Sequence, residues 1–302
     1  MSFEPPSKIA MQAAGDPDAV AHVLVQALPH IRRFAGRTVV VKMGGGAMTD
    51  PALDRLLAQD VLLLKSVGVR VVLVHGGGPQ IDDMVTRLGL TPEFQDGLRV
   101  TDAETLDIVR TVLVGKINRE LVAAINREEP VAIGVAGEDA GLLRAAPRDP
   151  ALGFVGDVTE VNASVLHRLL DDGLTPVVST VGADASGQAY NINADAAASA
   201  IAAALGAEKL IYLTAAPGLL EEATDDASLI HRLSLGELRR RMEDGTAGAG
   251  MIPKLRACCE AVEAGVGAAH ILDGRVPHSI LIELLTDAGI GTMITADGEV
   301  RA

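Results

Sequence analysis

The chain has 302 residues, of which 48% are hydrophobic and 2% aromatic, and its formal net charge is −14. This length suits one large α/β domain or two lobes, and a core with so few aromatic residues must consist of Ala, Val, Leu and Ile, as in parallel sheets. The acidic charge argues against nucleic acid or an anionic membrane surface as a partner, and no apolar run is long enough to span a membrane.

The two cysteines, Cys258 and Cys259, are adjacent, which excludes a disulfide framework. Because residues 1–19 lack a secretion signal, we expect a cytoplasmic protein with reduced thiols.

The first predicted element is a helix from Pro17 to about Phe34 that carries one apolar stripe. The stripe consists of Val20, Leu24, Ala27, Leu28 and Ile31. A helix that precedes the first strand can bury such a stripe against its own domain or against another subunit. The sequence leaves both arrangements open.

Two strands that each end in a glycine triplet follow this helix. Residues 39–41 and 71–74 are short β-branched runs typical of buried parallel strands, and the helix-length connection between them indicates a βαβ unit. The triplets occupy residues 44–46 and 76–78, and Lys42 stands beside the first. Bare backbone N–H groups at the carboxyl ends of parallel strands can bind an anion. Alternatively, the glycines only make tight turns.

Arg99 stands just ahead of the next predicted helix. Thr101 and Glu104 have the spacing of a capping box that starts this helix, and its pattern ends near Gly115. A guanidinium in this place can bind a carboxylate through two hydrogen bonds, although a solvated surface arginine is the commoner fate of a single arginine. Further along, residues 143–161 have an irregular pattern that predicts a hairpin excursion.

The second half of the chain continues the alternation of strands and helices. After a strand that begins at Pro176 and a predicted hairpin, Asp195 falls at the start of an alanine-rich helix, which it can cap. Asn191 and Asn193 face the same side if their segment is extended. Nearer the end of the chain, a glycine-rich loop leads into a helix with Lys254 in its first turn. The whole pattern predicts a largely parallel sheet with helices on both faces.

Lys42 and Lys254 thus adjoin glycine-rich loops in opposite halves of an acidic chain. Phosphoryl transfer needs this combination, because positive charge and backbone donors must surround the negatively charged group that is transferred. An acid such as Asp195 could hold both ammonium groups in place, and no general base is needed if the nucleophile is already an anion. No His-rich metal signature competes with this interpretation. The scattered histidines that we expect to have structural partners are His75, His270 and His278.

The chain resembles the amino-acid kinase family from about Val23 to Ile294. The resemblance rests on the segments VVVKMGGGAM, HGGGPQI, GLRVTDAETLDIV, YNINADAAA, AEKLIYLT, GAGMIPK, AHILDGRVPH and GIGTMI. It implies an α/β protein with a three-layer αβα sandwich around a mainly parallel open sheet, the carbamate kinase-like fold. It also implies an extension helix in residues 1–35, an N-terminal lobe at 36–178 for the amino-acid substrate and a C-terminal lobe at 179–302 for ATP.

Within that family, the motifs resemble those of the branch that phosphorylates N-acetyl-L-glutamate in arginine biosynthesis. The implied reaction moves the γ-phosphoryl group of ATP, with Mg²⁺ as a further cofactor, to the side-chain carboxylate, and no protein ligand to the metal is implied. The catalytic residues implied by the motifs are Lys42, Lys254 and Asp195. The residues implied to bind the acylated substrate are Gly77, Gly78, Arg99 and Asn191. Phosphate binding is implied for Gly44, Gly45 and Gly76, and nucleotide binding for Thr214, Gly218, Leu219, Gly250 and Met251.

The same resemblance implies a homo-oligomer, either a dimer or a hexamer built as a trimer of dimers. Similar enzymes that L-arginine inhibits use the N-terminal helix to join dimers, and they hold arginine near that helix and a C-terminal segment, here residues 283–291. His30 stands where this helix usually carries a tyrosine. The partners implied are therefore N-acetyl-L-glutamate as substrate and L-arginine as an effector.

Departures from the family pattern leave two other functions open. Met43 replaces the common tyrosine after the strand lysine, Glu138 stands where many members have lysine, and Ala215 stands where an acidic or amide residue is usual. One alternative is a paralogue that acts on a related acylated amino acid, and the other is a weakly catalytic regulatory subunit that senses arginine. A nicotinamide-dependent dehydrogenase is disfavoured, because the spaced-glycine fingerprint of dinucleotide-binding loops is missing.

Overall fold

The structure is a computed structural model that describes residues 17–44, 51–222, 225–245 and 251–298. The strands in these ranges are β1 (Thr38–Met43), β2 (Arg70–His75), β3 (Phe94–Gln95), β4 (Leu98–Arg99), β5 (Ala132–Ala136), β6 (Leu143–Pro147), β7 (Val155–Val161), β8 (Thr175–Ser179), β9 (Val181–Ala183), β10 (Ala189–Ile192), β11 (Lys209–Thr214), β12 (Arg232–Ser234), β13 (Ala269–Asp273) and β14 (Thr292–Thr295). The α-helices are α1 (Pro17–Phe34), α2 (Pro51–Ser66), α3 (Gly78–Arg87), α4 (Ala103–Arg110), α5 (Asn118–Glu128), α6 (Ala163–Asp171), α7 (Ala194–Ala204), α8 (Leu235–Glu243), α9 (Ile252–Glu263) and α10 (Ser279–Leu285). A π-helical segment (Thr111–Ile117) joins α4 to α5.

Eight strands form one continuous sheet in the order β12-β14-β13-β11-β1-β2-β8-β5. Neighbouring strands run parallel except for β13 and β14. The central strands are buried along their length, as expected for parallel strands covered on both faces. The predicted three-layer αβα architecture around a mainly parallel sheet is confirmed.

Alternate residues of β1 enter two separate hydrophobic clusters. Val40 belongs to a cluster that includes residues of α6, α7 and α9, whereas Val39 and Val41 belong to a cluster that includes residues of α2, α4 and α5. Both clusters are mainly aliphatic, as the composition predicted. Because side chains alternate along a strand, Lys42 faces the same side as Val40, which is the side of α7 and α9.

A small closed barrel of β6, β7, β9 and β10 lies outside the main sheet. Residues 143–161, whose irregular pattern predicted a hairpin excursion, include the antiparallel hairpin of β6 and β7. A register shift between Arg144 and Ala145 interrupts their alternation, which is why the sequence pattern was weak. β9 and β10 form the hairpin that the turn residues predicted, and β10 also pairs with β7.

The capping box predicted for α4 is wrong. The N-cap is Asp102, whose carboxylate accepts a hydrogen bond from the backbone N–H of Thr105. Aspartate is a stronger N-cap than threonine, and the helix accordingly starts one residue later than Thr101 and Glu104 predict. Thr101 is instead fully buried, and its hydroxyl donates to the carbonyl oxygen of Arg99.

The predicted end of this helix near Gly115 is also wrong, because the π-helical segment carries the chain directly into α5. Glycine has a low helix propensity, but tertiary packing overrides propensity where neighbours are buried. Here Leu113 and Ile117 are each 2% exposed and belong to the cluster of α2, α4 and α5. The helix therefore continues past the glycine.

The apolar stripe of α1 is divided between two environments. Toward the C-terminal end of the helix, Ala27 and Ile31 pack against the cluster of α2, α4 and α5. The exposed apolar residues are Val20 at 46%, Val23 at 60%, Leu24 at 63%, Val25 at 66% and Leu28 at 41%. Packing on its own domain therefore accounts only for the last turns of α1.

The predicted boundary between the two lobes, at residues 178 and 179, falls at the end of β8. The main sheet is continuous across this point, since β8 pairs with both β2 and β5. The boundaries at 35–36 and 178–179 stay predictions. Among the helices in the described ranges, none combines the length and the apolar character that a bilayer crossing needs.

Candidate active site

Two lysines and one aspartate from separate parts of the chain meet in the interior. Lys42 lies near the carboxyl end of β1, and Asp195 and Lys254 lie in the first turns of α7 and α9. The Nζ of Lys42 lies 2.6 Å from Oδ1 of Asp195, and the Nζ of Lys254 donates to Oδ2 of Asp195 at 2.7 Å. The side chains of Lys42 and Asp195 are 7% and 9% exposed. One carboxylate thus bridges two ammonium groups, and the cluster, called here the lysine bridge, has a net positive charge when all three groups are ionised.

Burial and charge compete within the lysine bridge. Burial alone would raise the pKa of Asp195, but the charges of Lys42 and Lys254 together outweigh it and hold this pKa below its ordinary value. Burial lowers the pKa of Lys42 against the opposing charge of Asp195. A bound anion would favour the protonated form of Lys42, so the site is suited to a negatively charged group.

The backbone around Asp195 is held by residues that the sequence analysis did not single out for this purpose. The N-cap of α7 is Asn193, whose Oδ1 accepts from the N–H groups of Asp195 and Ala196. This corrects the capping interpretation of Asp195, whose carboxylate contacts the two lysines instead. Tyr212 on β11 donates its hydroxyl to the carbonyl oxygen of Asp195 at 3.1 Å. The Asn193 cap could have been predicted, because asparagine is among the strongest N-cap residues.

The glycine turns at the ends of β1 and β2 are joined to neighbouring strands by backbone hydrogen bonds. The N–H of Gly44 donates to the carbonyl oxygen of Leu213 at 3.1 Å, and the N–H of Gly76 donates to that of Met43 at 3.3 Å. Both N–H groups would have to exchange these bonds to bind phosphate, and that role stays a prediction. Gly45, the third residue predicted to bind phosphate, lies outside the described residues.

The second glycine turn leads directly into α3, whose N-terminus is not capped by a side chain. Gly77 is the N-cap residue, and the first N–H groups of a helix have no intrahelical partner. A Cβ on Gly77 would lie 2.3 Å from Cδ1 of Ile117 and 2.8 Å from Cδ2 of Leu113, whereas a Cβ on Gly78 would meet no atom within 4 Å. Packing therefore requires glycine at position 77, while Gly78 borders open space where an anion can meet the helix.

We expect Gly77→Ala and Gly78→Ala to have different effects on stability. The first should lower the free energy of unfolding by about 1–3 kcal/mol, because the added methyl group overpacks the turn against the π-helical segment. The second should change it by about 0.5 kcal/mol or less. Urea denaturation of both variants measures the difference, and equal losses of stability would contradict the packing argument.

A cavity of about 210 Å³ connects the lysine bridge with the predicted substrate residues. Its lining includes Lys42, Asp195, Gly77, Gly78, Arg99 and Asn191. Two of the three residues predicted to be catalytic, Lys42 and Asp195, therefore share one cavity with the residues predicted to bind substrate, although these residues come from β1, α3, β4, β10 and α7. Lys254 does not line this cavity and reaches it only through Asp195. The cavity, called here the substrate cavity, has Lys42 and Asp195 of the lysine bridge and the buried Arg99 around the same space.

Arg99 forms part of the cavity wall and is not a solvated surface residue. Its side chain is 7% exposed, and its Nη1 lies 2.7 Å from Oδ1 of Asp82 on α3. Its Nη2 donates to the carbonyl oxygen of Gly78 at 3.3 Å, and its guanidinium carbon lies 4.8 Å from the ring centroid of Phe94. Asp82, which the sequence analysis missed, and the carbonyl oxygen of Gly78 thus hold the guanidinium in the cavity wall.

Asn191 reaches the substrate cavity from the small barrel. Its Nδ2 donates to the hydroxyl of Thr101 at 3.1 Å, and this hydroxyl donates to the carbonyl oxygen of Arg99 at 2.9 Å. The two residues predicted to bind the carboxylate end of the substrate are therefore connected through one buried threonine. The spacing around Thr101 predicted only a helix cap, so the sequence analysis missed this connection.

The predicted nucleotide-binding residues begin at the carboxyl end of β11. Thr214 is buried, and its hydroxyl donates to the carbonyl oxygen of Ala216 at 2.9 Å. Gly218, with φ near +152°, lies so close to its neighbours that a Cβ would stand 2.5 Å from Oγ1 of Thr292 and 2.7 Å from Cδ1 of Leu229. Only glycine fits this conformation and this space.

Leu219, another residue predicted to bind the nucleotide, is buried and has structural hydrogen-bond partners. Its side chain is 3% exposed, its N–H donates to Oγ1 of Thr292, and its carbonyl oxygen accepts from the N–H of Ile230. Met251 is the N-cap of α9, the helix that carries Lys254, whereas Gly250 lies outside the described residues. Contacts between these predicted residues and a nucleotide stay predictions.

The substrate cavity offers little to a metal ion held by protein ligands alone. Within the described part of the chain, no three His, Cys, Asp or Glu side chains form a group that could hold a metal. Asp195 is the carboxylate of the lysine bridge, and its two oxygens already face ammonium groups. Mg²⁺ is usually bound through one or two carboxylates, substrate phosphates and water, and the residues present fit an ion that arrives with a nucleotide.

Two of the three departures from the family pattern have a structural explanation. Met43 is 2% exposed and packs in the cluster of α2, α4 and α5, where an apolar side chain fits. Glu138 accepts a hydrogen bond from Nη2 of Arg110 at 2.8 Å, so an acid has a partner there. Ala215 is exposed, and nothing in the structure explains it.

The histidines that were expected to be structural all have side-chain partners. These partners are Asn118 for His75, Glu283 for His270 and Asp60 for His278. The cysteines, Cys258 and Cys259, are free and buried, as predicted.

A second cavity, of about 290 Å³, lies between α1 and the segment around α10 and β14. Its lining includes His30, Lys209, His270 and Glu283. The Nδ1 of His270 lies 2.7 Å from Oε1 of Glu283, and the Nε2 of His270 is buried without a hydrogen-bond partner among the described residues. Burial lowers the pKa of His270 to about 4 and that of Lys209 to about 8. This cavity, called here the His270 cavity, therefore holds one buried acid and one buried amine.

Sequence comparison places the chain among small-molecule kinases. The profile of the amino acid kinase family matches residues 37–273. The acetylglutamate kinase of Acaryochloris marina (strain MBIC 11017) is 52% identical over 275 residues, which are 91% of this chain and 97% of that protein. The acetylglutamate kinase of Caldanaerobacter subterraneus subsp. tengcongensis is 49% identical over 288 residues, which are 95% of this chain and 96% of that protein.

Solved structures share the architecture. N-acetylglutamate synthase from Neisseria gonorrhoeae, complexed with coenzyme A and N-acetyl-glutamate, has a TM-score of 0.82 at 29% identity, and the match covers 92% of this chain but 64% of the synthase, which is longer. The same synthase complexed with coenzyme A and L-arginine has a TM-score of 0.77 at 29% identity, covering 92% and 65%. Giardia carbamate kinase, at 20% identity, has a TM-score of 0.65 over 87% of this chain and 100% of its own, and this likeness concerns the fold alone. The fold is carbamate kinase-like, and the chain belongs to the amino acid kinase family.

Proposed function

We propose that this chain is an acetylglutamate kinase, which transfers the γ-phosphoryl group of ATP to the side-chain carboxylate of N-acetyl-L-glutamate and forms an acyl phosphate. The observation that carries the proposal is the lysine bridge, of which Lys42 and Asp195 line a cavity that Arg99 also lines. Relatives named acetylglutamate kinase, about half identical to this chain over nine-tenths of its length, support the substrate. Membership of the kinase family supports ATP as the phosphoryl donor.

Arg99 and Asn191 would bind the end of the substrate that carries its α-carboxylate. A guanidinium binds a carboxylate through two charge-assisted hydrogen bonds, which are stronger in a buried site than in water. Arg99 is already oriented by Asp82, so binding costs little further side-chain entropy. The side-chain carboxylate of the bound substrate would then extend toward the lysine bridge.

The side-chain carboxylate is an anion at neutral pH, so it attacks without a general base. Lys42 and Lys254 would offset the repulsion between this anion and the phosphates, and they would stabilise the charge on the transferring and leaving groups. Asp195 would hold both ammonium groups in place without accepting a proton from the substrate. The chemistry then depends on alignment and charge, which the lysine bridge supplies from opposite halves of the chain.

The proposed cofactors are ATP and Mg²⁺. The ion would neutralise part of the phosphate charge, with most of its ligands from phosphate oxygens and water. The residues predicted to bind the nucleotide, at the end of β11 and the start of α9, would hold ATP on the side of the lysine bridge that Lys254 occupies.

A turnover assay with hydroxylamine trapping of the acyl phosphate tests the proposed reaction. We expect kcat/KM for N-acetyl-L-glutamate to exceed that for N-acetyl-L-aspartate and N-acetyl-L-aminoadipate by at least about tenfold. One methylene group more or less typically changes kcat/KM by at least this factor. A preference for another acid would identify a paralogue. Phosphorylation of none of them, together with arginine binding, would identify the regulatory alternative.

L-Arginine is the second proposed ligand, an effector in the His270 cavity. Its guanidinium would bind the carboxylate of Glu283, which is 6% exposed, and its α-carboxylate would bind Lys209. The structural likeness to a synthase that was complexed with L-arginine supports this proposal. His30 lines the same cavity, and its Nε2 lies 3.3 Å from Oδ1 of Asp287.

Calorimetry with L-arginine tests this site. Glu283→Gln should weaken binding at least about tenfold, because the variant keeps the shape of the side chain but removes the charge that pairs with the guanidinium. Glu243→Gln, at an exposed position at the end of α8, is the matched control and should bind arginine as the original chain does. An unchanged affinity in Glu283→Gln would contradict the placement of the guanidinium.

The assembly and the location of the protein also belong to the proposal. The exposed apolar part of α1 supports contact with a second copy of the chain, in a dimer or in a hexamer built as a trimer of dimers. Light scattering on the full chain distinguishes these sizes.

A cytoplasmic location is supported by the free, buried thiols of Cys258 and Cys259.

A further inference from the structure

A buried network of hydrogen-bonded polar groups lies directly behind the second glycine turn. It begins at His75, the last residue of β2, which is 0% exposed. The Nδ1 of His75 lies 3.0 Å from the carbonyl oxygen of Gly76. Its Nε2 lies 3.2 Å from Nδ2 of Asn118, the first residue of α5, and this Nδ2 also donates to the carbonyl oxygen of Val177 at 2.8 Å. This network therefore connects the glycine turn to α5 and β8.

The partners of His75 determine where its proton lies. The carbonyl oxygen of Gly76 can only accept, so Nδ1 carries the hydrogen and Nε2 accepts from the amide of Asn118. Burial lowers the pKa of His75 to about 4, so its ring is neutral at neutral pH. Each hydrogen bond then has a single direction, and rotation of the ring would leave buried polar groups unpaired.

We propose that His75 and Asn118 are positioning residues that orient the peptide group between Gly76 and Gly77, and with it an N–H group offered to the acyl substrate. This inference rests on the proposed function, in which the same turn binds N-acetylglutamate. The peptide group is planar and trans, so its C=O and N–H point in opposite directions. When Nδ1 of His75 holds the carbonyl oxygen of Gly76, the N–H of Gly77 points away from the imidazole, and Gly77 lines the substrate cavity.

Glycine residues need such an external constraint, because they adopt more backbone conformations than any other residue. The π-helical segment supplies the apolar half of the constraint, since Leu113 and Ile117 leave no room for a side chain on Gly77. Asn118 follows this segment directly and supplies the polar half. His75 is fully buried, so it acts on the substrate only through the turn.

Two substitutions of His75 distinguish positioning from a merely structural role. Asparagine can place its Nδ2 near the position of the imidazole Nδ1, so His75→Asn retains a donor to Gly76. Glutamine reaches toward Asn118 but loses that donor. We expect His75→Gln to raise KM for the acyl substrate about tenfold and His75→Asn to raise it about threefold or less. KM for ATP should stay within about twofold in both variants.

Two asparagines on α5 provide a matched pair of controls. Asn126 bonds the carbonyl oxygen and the N–H of Ala132 at the start of β5, and so anchors α5 without contacting the glycine turn. Asn118→Ala should raise KM for the acyl substrate about fivefold or more, whereas Asn126→Ala should lower the melting temperature but leave this KM within about twofold. Equal effects of His75→Asn and His75→Gln on KM, or an equal effect of Asn126→Ala, would overturn the proposal, because KM would then follow stability alone.

Hydrogen exchange on the full chain supplies a measurement that does not depend on turnover. The backbone N–H groups of Gly76, Gly77, Gly78 and Gln80 should exchange faster in His75→Gln than in His75→Asn, because only the asparagine variant retains the hydrogen bond to Gly76. Equal exchange in both variants would overturn the positioning role. If the original chain phosphorylates none of the acyl amino acids, the proposed function fails, and the exchange comparison still decides the role of His75 in the turn.

Discussion

Lys42→Ala is expected to lower kcat about 10³-fold and to leave KM for N-acetylglutamate within about threefold. The Nζ of Lys42 lies 2.6 Å from Asp195, and its side chain is 7% exposed, so solvent cannot replace its charge well. The variant leaves Asp195 with a single ammonium partner and removes positive charge from the place where the transferring group must be stabilised. Steady-state kinetics with both substrates varied measure the split between kcat and KM.

The other lysine of the bridge and a surface lysine complete this test. Lys254→Ala should lower kcat about 10²-fold, a smaller loss because the Lys254 side chain is 24% exposed and water can partly substitute. Lys65→Ala removes an equal charge from the end of α2, where Nζ lies 3.8 Å from Glu129, and should leave kcat unchanged. If Lys42→Ala folds normally and keeps more than about a tenth of the original kcat, the catalytic role of the lysine bridge is wrong.

Arg99→Ala is expected to raise KM for N-acetylglutamate about 10²-fold, while kcat and KM for ATP change less than about threefold. A hydrogen bond to a charged group contributes about 1.5–3 kcal/mol, and in the proposed binding mode Arg99 makes two of them to one carboxylate. Arg99→Lys should recover only part of the affinity, because an ammonium group lacks the planar fork of the guanidinium. The measurement is the KM for each substrate in the three proteins.

Two controls test whether the effect of the Arg99 variants is specific to this arginine and to the α-carboxylate of the substrate. Arg87→Ala, on the exposed side of α3, where the arginine lies 3.6 Å from Asp83, should leave KM for N-acetylglutamate unchanged. 4-Acetamidobutyrate lacks the α-carboxylate of N-acetylglutamate, so it should bind the original chain and Arg99→Ala with equal affinity. A loss confined to kcat, or a loss of affinity for 4-acetamidobutyrate as well, would contradict the assignment of Arg99 to the α-carboxylate.

Lys42 and Lys254 could be identified from the sequence because each adjoins a local pattern, a buried strand or a helix start beside glycines. Asp195 was recognised as well, but local sequence placed it only at a helix start, where a cap and a charge bridge are both reasonable. The choice depended on Asn193, which caps α7. It also depended on Lys254, whose Nζ lies 2.7 Å from the carboxylate.

Other residues of the site had no local signal that could reveal them. In the sequence, Asp82 cannot be distinguished from any other acid on the exposed face of a helix. Its contact with Arg99 is visible only in the structure, where β4 places the arginine beside it. Thr101 has the spacing of a cap, yet it lies buried between Arg99 and Asn191. His75 was expected to be structural, and its partner Asn118 is the first residue of α5, which the π-helical segment joins to α4 without the break predicted near Gly115.

The sequence by itself determined the alternation of strands and helices, the aliphatic core and the glycine turns at the strand ends, because burial patterns and turn chemistry are properties of neighbouring residues. Only the tertiary structure decided that one carboxylate bridges both lysines, that the helix continues through Gly115, and that packing requires glycine at 77 but not at 78. These features depend on distances between residues far apart along the chain. No periodicity or propensity encodes such distances until the strands have paired and the helices have packed on them.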